Sequence, residues 1–221
     1  MEELINFFIE IGKLKKMKRM GWVINRVKEP EDIADHVFRM AIMAWFFAEK
    51  KGGLKIEKIL KMALIHDLCE IYAGDTTPYD SILPKDKRKW KKLMKTWPRF
   101  SGKEKIELAF EKHKKEWSSL LKLTAKLSPK LRKEVLDLWV DYEEGLTKEG
   151  RFLHQADRME NLLQALEYWK KQKTPPIRPW WIWAKEFFDD PLLLDFMREL
   201  DKKFHSGKPK KEIKRKKKRN G

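Results

Sequence analysis

The stretch His66-Asp67-Leu68-Cys69-Glu70-Ile71-Tyr72-Ala73-Gly74-Asp75 closes a helical repeat, and its reading decides the fold. Ile59, Leu60, Ala63, Leu64 and Leu68 recur at helical spacing, so residues 56–73 are predicted to form one helix that Gly74 stops. Adjacent residues on a helix diverge by about 100°. His66 and Asp67 can therefore share one ion only if it lies in the groove between them. Any further ligands must come from other helices, which calls for a bundle with a site in its interior.

Outward from this stretch the apolar spacing stays helical, with no convincing alternating strand. An opening helix is expected over 2–19, then a loop holding Gly21 and Pro30. Glu31 or Asp32 starts the next helix, placing acid at its positive end, and Gly52-Gly53 ends it. Pro78 and Pro84 keep the following stretch irregular. Further helices are predicted near 85–95, 103–126, 129–144, 149–171, 179–188 and 191–204. The fold class is all-α, a helical bundle of irregular topology.

The 221 residues suit one domain, expected over 1–205. Residues 206–221 are expected to be a disordered basic tail, since nine basic residues face only Glu212 between Lys208 and Arg219. The formal net charge is +17, and the body without the tail remains basic. Such a body favours anionic ligands: nucleotides, nucleic acid or acidic surfaces. The high Lys and Glu content follows a bias seen in hyperthermophile proteins. Cys69 is the one cysteine, so no internal disulfide can form, which fits a reducing, cytoplasmic setting. No apolar run approaches the ~20 residues that span a bilayer, and the N-terminus lacks the pattern of a secretory signal. No membrane partner is expected.

Two further residues join the His-Asp pair. His36 lies on the second predicted helix, and Asp157 interrupts the stripe of Phe152, Leu153, Ala156, Met159, Leu163 and Leu166. An aspartate there costs several kcal/mol of desolvation unless it is paired or bound to a metal. Two imidazoles with two carboxylates suit one divalent transition metal ion: Mn, Co, Ni, Fe or Zn. A lone histidine on an apolar face is more often a satisfied core residue; the combination carries the metal reading. Glu70, three residues beyond Asp67, is placed to orient or deprotonate an attacking water. Its plain alternative is a solvated helix carboxylate, as an ordinary turn aspartate is for Asp75.

Ala34-Asp35-His36, the 66–75 stretch and Gln155-Ala156-Asp157 together resemble the HD-domain superfamily, and within it the 5′-deoxynucleotidase branch. The resemblance spans roughly residues 1–205. It implies an all-helical fold, one divalent cation on His36, His66, Asp67 and Asp157, and a homodimer. The implied reaction is hydrolysis of deoxynucleoside 5′-monophosphates to nucleoside and phosphate. It gives Glu70 and Asp75 catalytic or substrate-orienting roles. It also implies substrate contacts at Arg19, for phosphate, and Trp22, packing near the sugar to help exclude a 2′-hydroxyl. Some relatives place the arginine directly before the tryptophan, where this chain has Gly21, so Arg26 is a substitute for Arg19. Arg19 could equally belong to a solvated basic run, and Trp22 to the core.

Two other functions compete with this one. A related phosphohydrolase acting on a nucleoside triphosphate or cyclic nucleotide would need more phosphate-binding arginines. A nucleic-acid-binding protein with a structural metal site would use the basic tail and the 85–95 segment near Trp97 and Phe100. Elsewhere, His113 is expected at the surface and His154 in the core or behind the site. The Trp180-Trp181-Ile182-Trp183 cluster with Phe187-Phe188 is expected in the core or at a dimer interface.

Overall fold

The computed structural model describes residues 1–96 and 98–205. Its α-helices run in chain order: α1 (Glu2–Ile11), α2 (Met20–Ile24), α3 (Ile33–Lys51), α4 (Ile56–Ile65), α5 (Glu70–Ala73) and α6 (Trp90–Lys95). They continue as α7 (Gly102–Thr124), α8 (Pro129–Glu144), α9 (Lys148–Gln172), α10 (Ile177–Phe187) and α11 (Pro191–His205). Among the described residues there is no strand, only an isolated bridge between Lys18 and Asp32. The all-α expectation holds. The basic tail and Trp97 lie outside the described residues.

Helix α9 is the axle of the bundle. It packs against α3, α4, α8, α10 and α11, so it is buried on several sides rather than along one stripe. Met40 and Ala44 of α3, Ile59 and Met62 of α4, and Met159 and Leu162 of α9 meet in the main core. A second core joins Ile33, Leu68, Leu120 and Trp139, so the 66–75 segment is held between α7 and α8. Polar residues of α9 that would face water on a surface helix are thereby enclosed.

Helix ends carrying their own capping chemistry match the sequence closely. Asp32 caps α3, and its box with Asp35 closes reciprocally. Ser101 and Glu104 do the same for α7, while Ser128 and Thr147 cap α8 and α9.

Three expected elements differ. The opening helix does not run over 2–19: α1 stops at Ile11, a 3-10 turn covers Gly12–Lys16, and Met17 is extended. The Met17 carbonyl accepts from the Ile33 backbone N–H at 2.8 Å, so a tertiary bond replaces the helical one. The region around Gly21 is not a loop but α2. The predicted helix 56–73 is broken: α4 ends at Ile65, and residues 66–69 form a tight turn before α5. There the Leu68 N–H reaches Ile65 and the Glu70 N–H reaches Asp67, i to i−3. The carbonyl of His66, which would accept from Glu70 in a continuous helix, instead accepts from Trp139 Nε1 at 3.2 Å and Cys69 Sγ at 3.4 Å.

Candidate metal centre

His36 comes from the first turns of α3, His66 and Asp67 from the break after α4, and Asp157 from the middle of α9. His36 and His66 are fully buried, and Asp67 and Asp157 nearly so. One ligand atom from each of His36, His66 and Asp67 lies within 4.8 Å of the others. Asp67 Oδ2 is 3.2 Å from His66 Nε2 and 3.9 Å from His36 Nε2. Asp157 Oδ1 is 3.1 Å from His36 Nε2. His36, His66 and Asp67 thus meet at one point, and Asp157 adjoins them through His36.

The two rings present the same atom. His66 Nδ1 faces the Ala63 carbonyl at 2.8 Å, and His36 Nδ1 faces Glu160 Oε2 at 2.5 Å. Each contact engages the rear nitrogen and leaves Nε2 forward. Both Nε2 atoms are buried without a hydrogen-bond partner; the close Asp157 oxygen lacks hydrogen-bond geometry toward His36. Orphaned buried nitrogens are rare, and a cation held between them and the carboxylates would satisfy both. The donor set, two imidazoles with carboxylate oxygens, fits a divalent transition metal. Burial and the Arg19 charge oppose protonation of His36, yet Glu160 and Asp157 outweigh them and raise it to about 10. The carboxylates call for positive charge at this point, which a metal supplies as well as a proton.

Around the centre lies a cavity of about 350 Å³ lined by Asp67, Glu70, Asp75, Arg19, Asn161 and Trp22, among others. Glu70 is buried, and its Oε2 has no hydrogen-bond partner. Burial, then the Asp67 and Asp75 charges, pushes its carboxyl well above the usual range, against Arg19 and Lys112. Added positive charge would act in the opposite direction. Asp75 Oδ2 accepts from the Met20 backbone N–H at 2.6 Å, tying the 66–75 segment to the start of α2.

Arg19 is not part of a solvated run. Its guanidinium donates to Asp67 Oδ2 at 3.1 Å and to Asn161 Oδ1 at 2.9 Å. Burial would lower its pKa, but Asp75, Asp67, Glu70 and Asp157 hold it charged. Arg26, the suggested substitute, is exposed and does not line the cavity. Its φ of 59° follows the end of α2 and turns it away, so that reading is corrected. Trp22 borders the cavity but is almost wholly buried. Its ring stacks on Trp180 at 5.2 Å, and its Nε1 donates to Glu31 Oε1 at 2.8 Å.

Several supporting residues escaped the sequence reading. Glu160 buttresses His36 and is itself held by Arg39. Asn161 Nδ2 donates to Asp157 Oδ1 at 3.0 Å, and the Tyr142 hydroxyl donates to Asp157 Oδ2 at 3.1 Å. The signal was present: Asp157, Glu160 and Asn161 stand at i, i+3 and i+4, one polar patch on a helix otherwise enclosed. His154 packs against Tyr142 and Phe187 and borders the cavity, as a residue behind the site should. His113 is not simply on the surface; its ring lies 5.3 Å from that of Trp139. Trp180 and Trp183 pack against the core from α10.

The family described as HD domain matches residues 11–178. The 5′-deoxynucleotidase HDDC2 of Xenopus laevis is 35% identical over 174 residues, covering 79% of this chain and 73% of its own. The human 5′-deoxynucleotidase HDDC2 is 31% identical over 199 residues, with 90% and 84% covered. A conserved hypothetical protein from Pyrococcus furiosus superposes with a TM-score of 0.62 at 26% identity, covering 90% of this chain and 99% of that one. The chain belongs to the HD-domain family, in the branch that holds the 5′-deoxynucleotidases.

Proposed function

We propose that this protein hydrolyses deoxynucleoside 5′-monophosphates to nucleoside and inorganic phosphate, using one divalent transition metal ion held by His36, His66, Asp67 and Asp157. The observation that carries the reading is the pair of buried, unpartnered Nε2 atoms converging on Asp67. The 5′-deoxynucleotidase names of its relatives give the substrate class. When bound, the ion would neutralise phosphoryl charge and acidify water. Mn, Co, Ni, Fe and Zn all suit the donors.

The residues of the chain do the rest. Arg19 reaches the edge of the centre at Asp67 Oδ2, where its planar fork can take up phosphate oxygens. Glu70, buried beside Asp67 with one free oxygen, is placed to receive the proton of the attacking water once a bound cation offsets the acids around it. Asp75 keeps α2, and with it Arg19 and Trp22, seated over the cavity. Trp22, wedged against Trp180, offers a rigid wall that a ribose 2′-hydroxyl would crowd. The catalytic unit is residues 1–205, and the active form is a homodimer, supported by an exposed apolar face on α3.

A panel of nucleoside monophosphates with Mn²⁺, Co²⁺, Ni²⁺, Fe²⁺, Zn²⁺ and Mg²⁺ tests the proposal. Phosphate release is expected from deoxynucleotides in preference to ribonucleotides, and only with added metal after chelation. Asp67→Ala should abolish turnover and weaken metal binding. Glu70→Ala should abolish turnover with metal binding largely kept. Turnover that survives complete chelation, or full activity in Asp67→Ala, would refute it.

A further inference from the structure

Beside the cavity at the metal centre lies a larger chamber of about 810 Å³. Thr76, Thr77, Pro78, Tyr79, Lys112 and Trp183 border both, so the two adjoin along this shared lining. The outer chamber lies between the first half of α7, α10, the segment 76–81, Thr96 and residues 98–100. Cleft and chamber are therefore neighbours in the fold.

The outer lining is amphipathic in a particular way. Arg99, Lys105, Lys115 and Arg178 stand on its rim, and none forms an ion pair among the described residues. Asp80, Glu111 and Glu186 are the acids there, three against those four cations. Lys112, at the junction, pairs with Glu116 at 3.0 Å. The balance of uncommitted charge is positive. Between the cations lie flat apolar surfaces: the Tyr79 and Phe100 rings, 5.7 Å apart, and Trp183 stacked on Phe187 at 5.5 Å. Separated cations with interleaved rings suit single-stranded nucleic acid, whose phosphates and bases alternate in the same way.

Size points in the same direction. Small-ligand sites enclose about 300–1,000 Å³, so the inner cavity alone suits one nucleotide. A mononucleotide whose phosphate lies by Asp67 leaves the outer chamber and its four cations without a task.

We propose that the outer chamber binds the nucleotide that follows the 5′-terminal one, making short 5′-phosphorylated single-stranded oligodeoxynucleotides substrates alongside mononucleotides. This rests on the reading of the site as a 5′-deoxynucleotidase. The chemistry is the same hydrolysis: the water oxygen bonds to phosphorus as the P–O5′ bond breaks. Water gives up a proton and O5′ gains one. The products are inorganic phosphate and an oligonucleotide with a free 5′-hydroxyl. The internal phosphodiester stays intact and serves as the anion held by the rim.

The test compares phosphate release from dAMP and from the 5′-phosphorylated dinucleotide pdApdA, using the full-length, metal-loaded protein. The dinucleotide should be turned over with a kcat/KM at least equal to that of dAMP, and its KM should rise more steeply with salt. In the charge reversals Lys105→Glu and Arg178→Glu, with folding checked by circular dichroism, the ratio of kcat/KM for pdApdA over dAMP should fall about tenfold each. That is the scale of one charge-assisted phosphate contact. Turnover of dAMP with neither turnover of nor inhibition by pdApdA would overturn the proposal; a second copy of the chain filling the chamber would give that result. A ratio unmoved by both reversals would overturn it too. If dAMP itself is not hydrolysed, the underlying nucleotidase reading fails; direct titration of the protein with pdApdA then decides the chamber, and no binding counts against it.

Discussion

His36 and His66 point the same nitrogen forward because different groups hold them from behind, a backbone carbonyl for one and a carboxylate for the other. The carboxylate matters more. Glu160 is fully buried, and Arg39 Nε donates to its Oε1 at 2.8 Å while His36 takes its Oε2. A carboxylate behind a ligating imidazole fixes its tautomer and raises its basicity. Glu160→Gln keeps the shape and removes the charge, so metal affinity should fall about 10–100-fold. Calorimetric titration with Mn²⁺ or Co²⁺ reads this directly. Equal affinity in the variant would reduce Glu160 to a packing residue. His36, His66, Asp67 and Asp157 were legible because each is a polar interruption of an apolar pattern. Glu160 was not, because charged residues on a long helix read as its solvent face, and only the enclosure of α9 by five helices shows otherwise. Arg26 failed for a related reason: sequence nearness to Trp22 does not survive a left-handed turn.

Among the elements, α9 must hold Asp157 against α3 and the turn after α4, and its register is pinned at its first turn. Gly150 faces the carbonyl and carboxylate of Asp141 on α8 so closely that a Cβ would collide with both. Asp141 in turn accepts from the Thr147 backbone N–H at 2.8 Å and from its hydroxyl at 2.7 Å, and pairs with Lys58 of α4. Three helices are thus locked two turns before Asp157. Gly150→Ala should destabilise the fold by about 1–3 kcal/mol through forced backbone displacement, measured as a lowered midpoint in urea. A neutral result would mean that the α8–α9 junction yields freely. In the sequence Gly150 was one position in a predicted helix, and nothing local marks it as a contact. The same division runs through the other elements. Helix ends set by their own caps, such as Asp32 and Ser101, were readable. Those set by a distant partner were not: Ile33 draws Met17 out of a helix, and Trp139 takes the His66 carbonyl. The break after Ile65 carries functional weight, since it turns His66 and Asp67 toward one point without the divergence a straight helix imposes.

At the scale of the whole molecule, the aromatic cluster on α10 was expected in the core or else at a dimer interface, and Trp180 and Trp183 pack inward on Trp22 and Phe187. The exposed apolar surface lies elsewhere. On α3, Phe38 is 70% and Phe46 61% exposed, with Ile42 and Trp45 between them on the face opposite His36 and Met40. Residues at i, i+4, i+7 and i+8 form one continuous stripe. Leu64, on the α4 helix packed beside α3, is exposed as well. A patch of this kind marks an association surface. A stripe on one helix suits a two-fold contact with its own copy, where the same residues serve both partners. The double substitution Phe38→Glu with Phe46→Glu places two like charges per chain at the centre of that contact, and four across it. On the proposed homodimer, sedimentation equilibrium should report a dimer for the parent chain and a monomer for the variant. Because α3 also carries His36 at its buried face, metal titration of the variant separates the two roles of the helix. An intact metal site in a monomer locates the interface on the outer face of α3, whereas a dimer that survives the double substitution would move it to another surface.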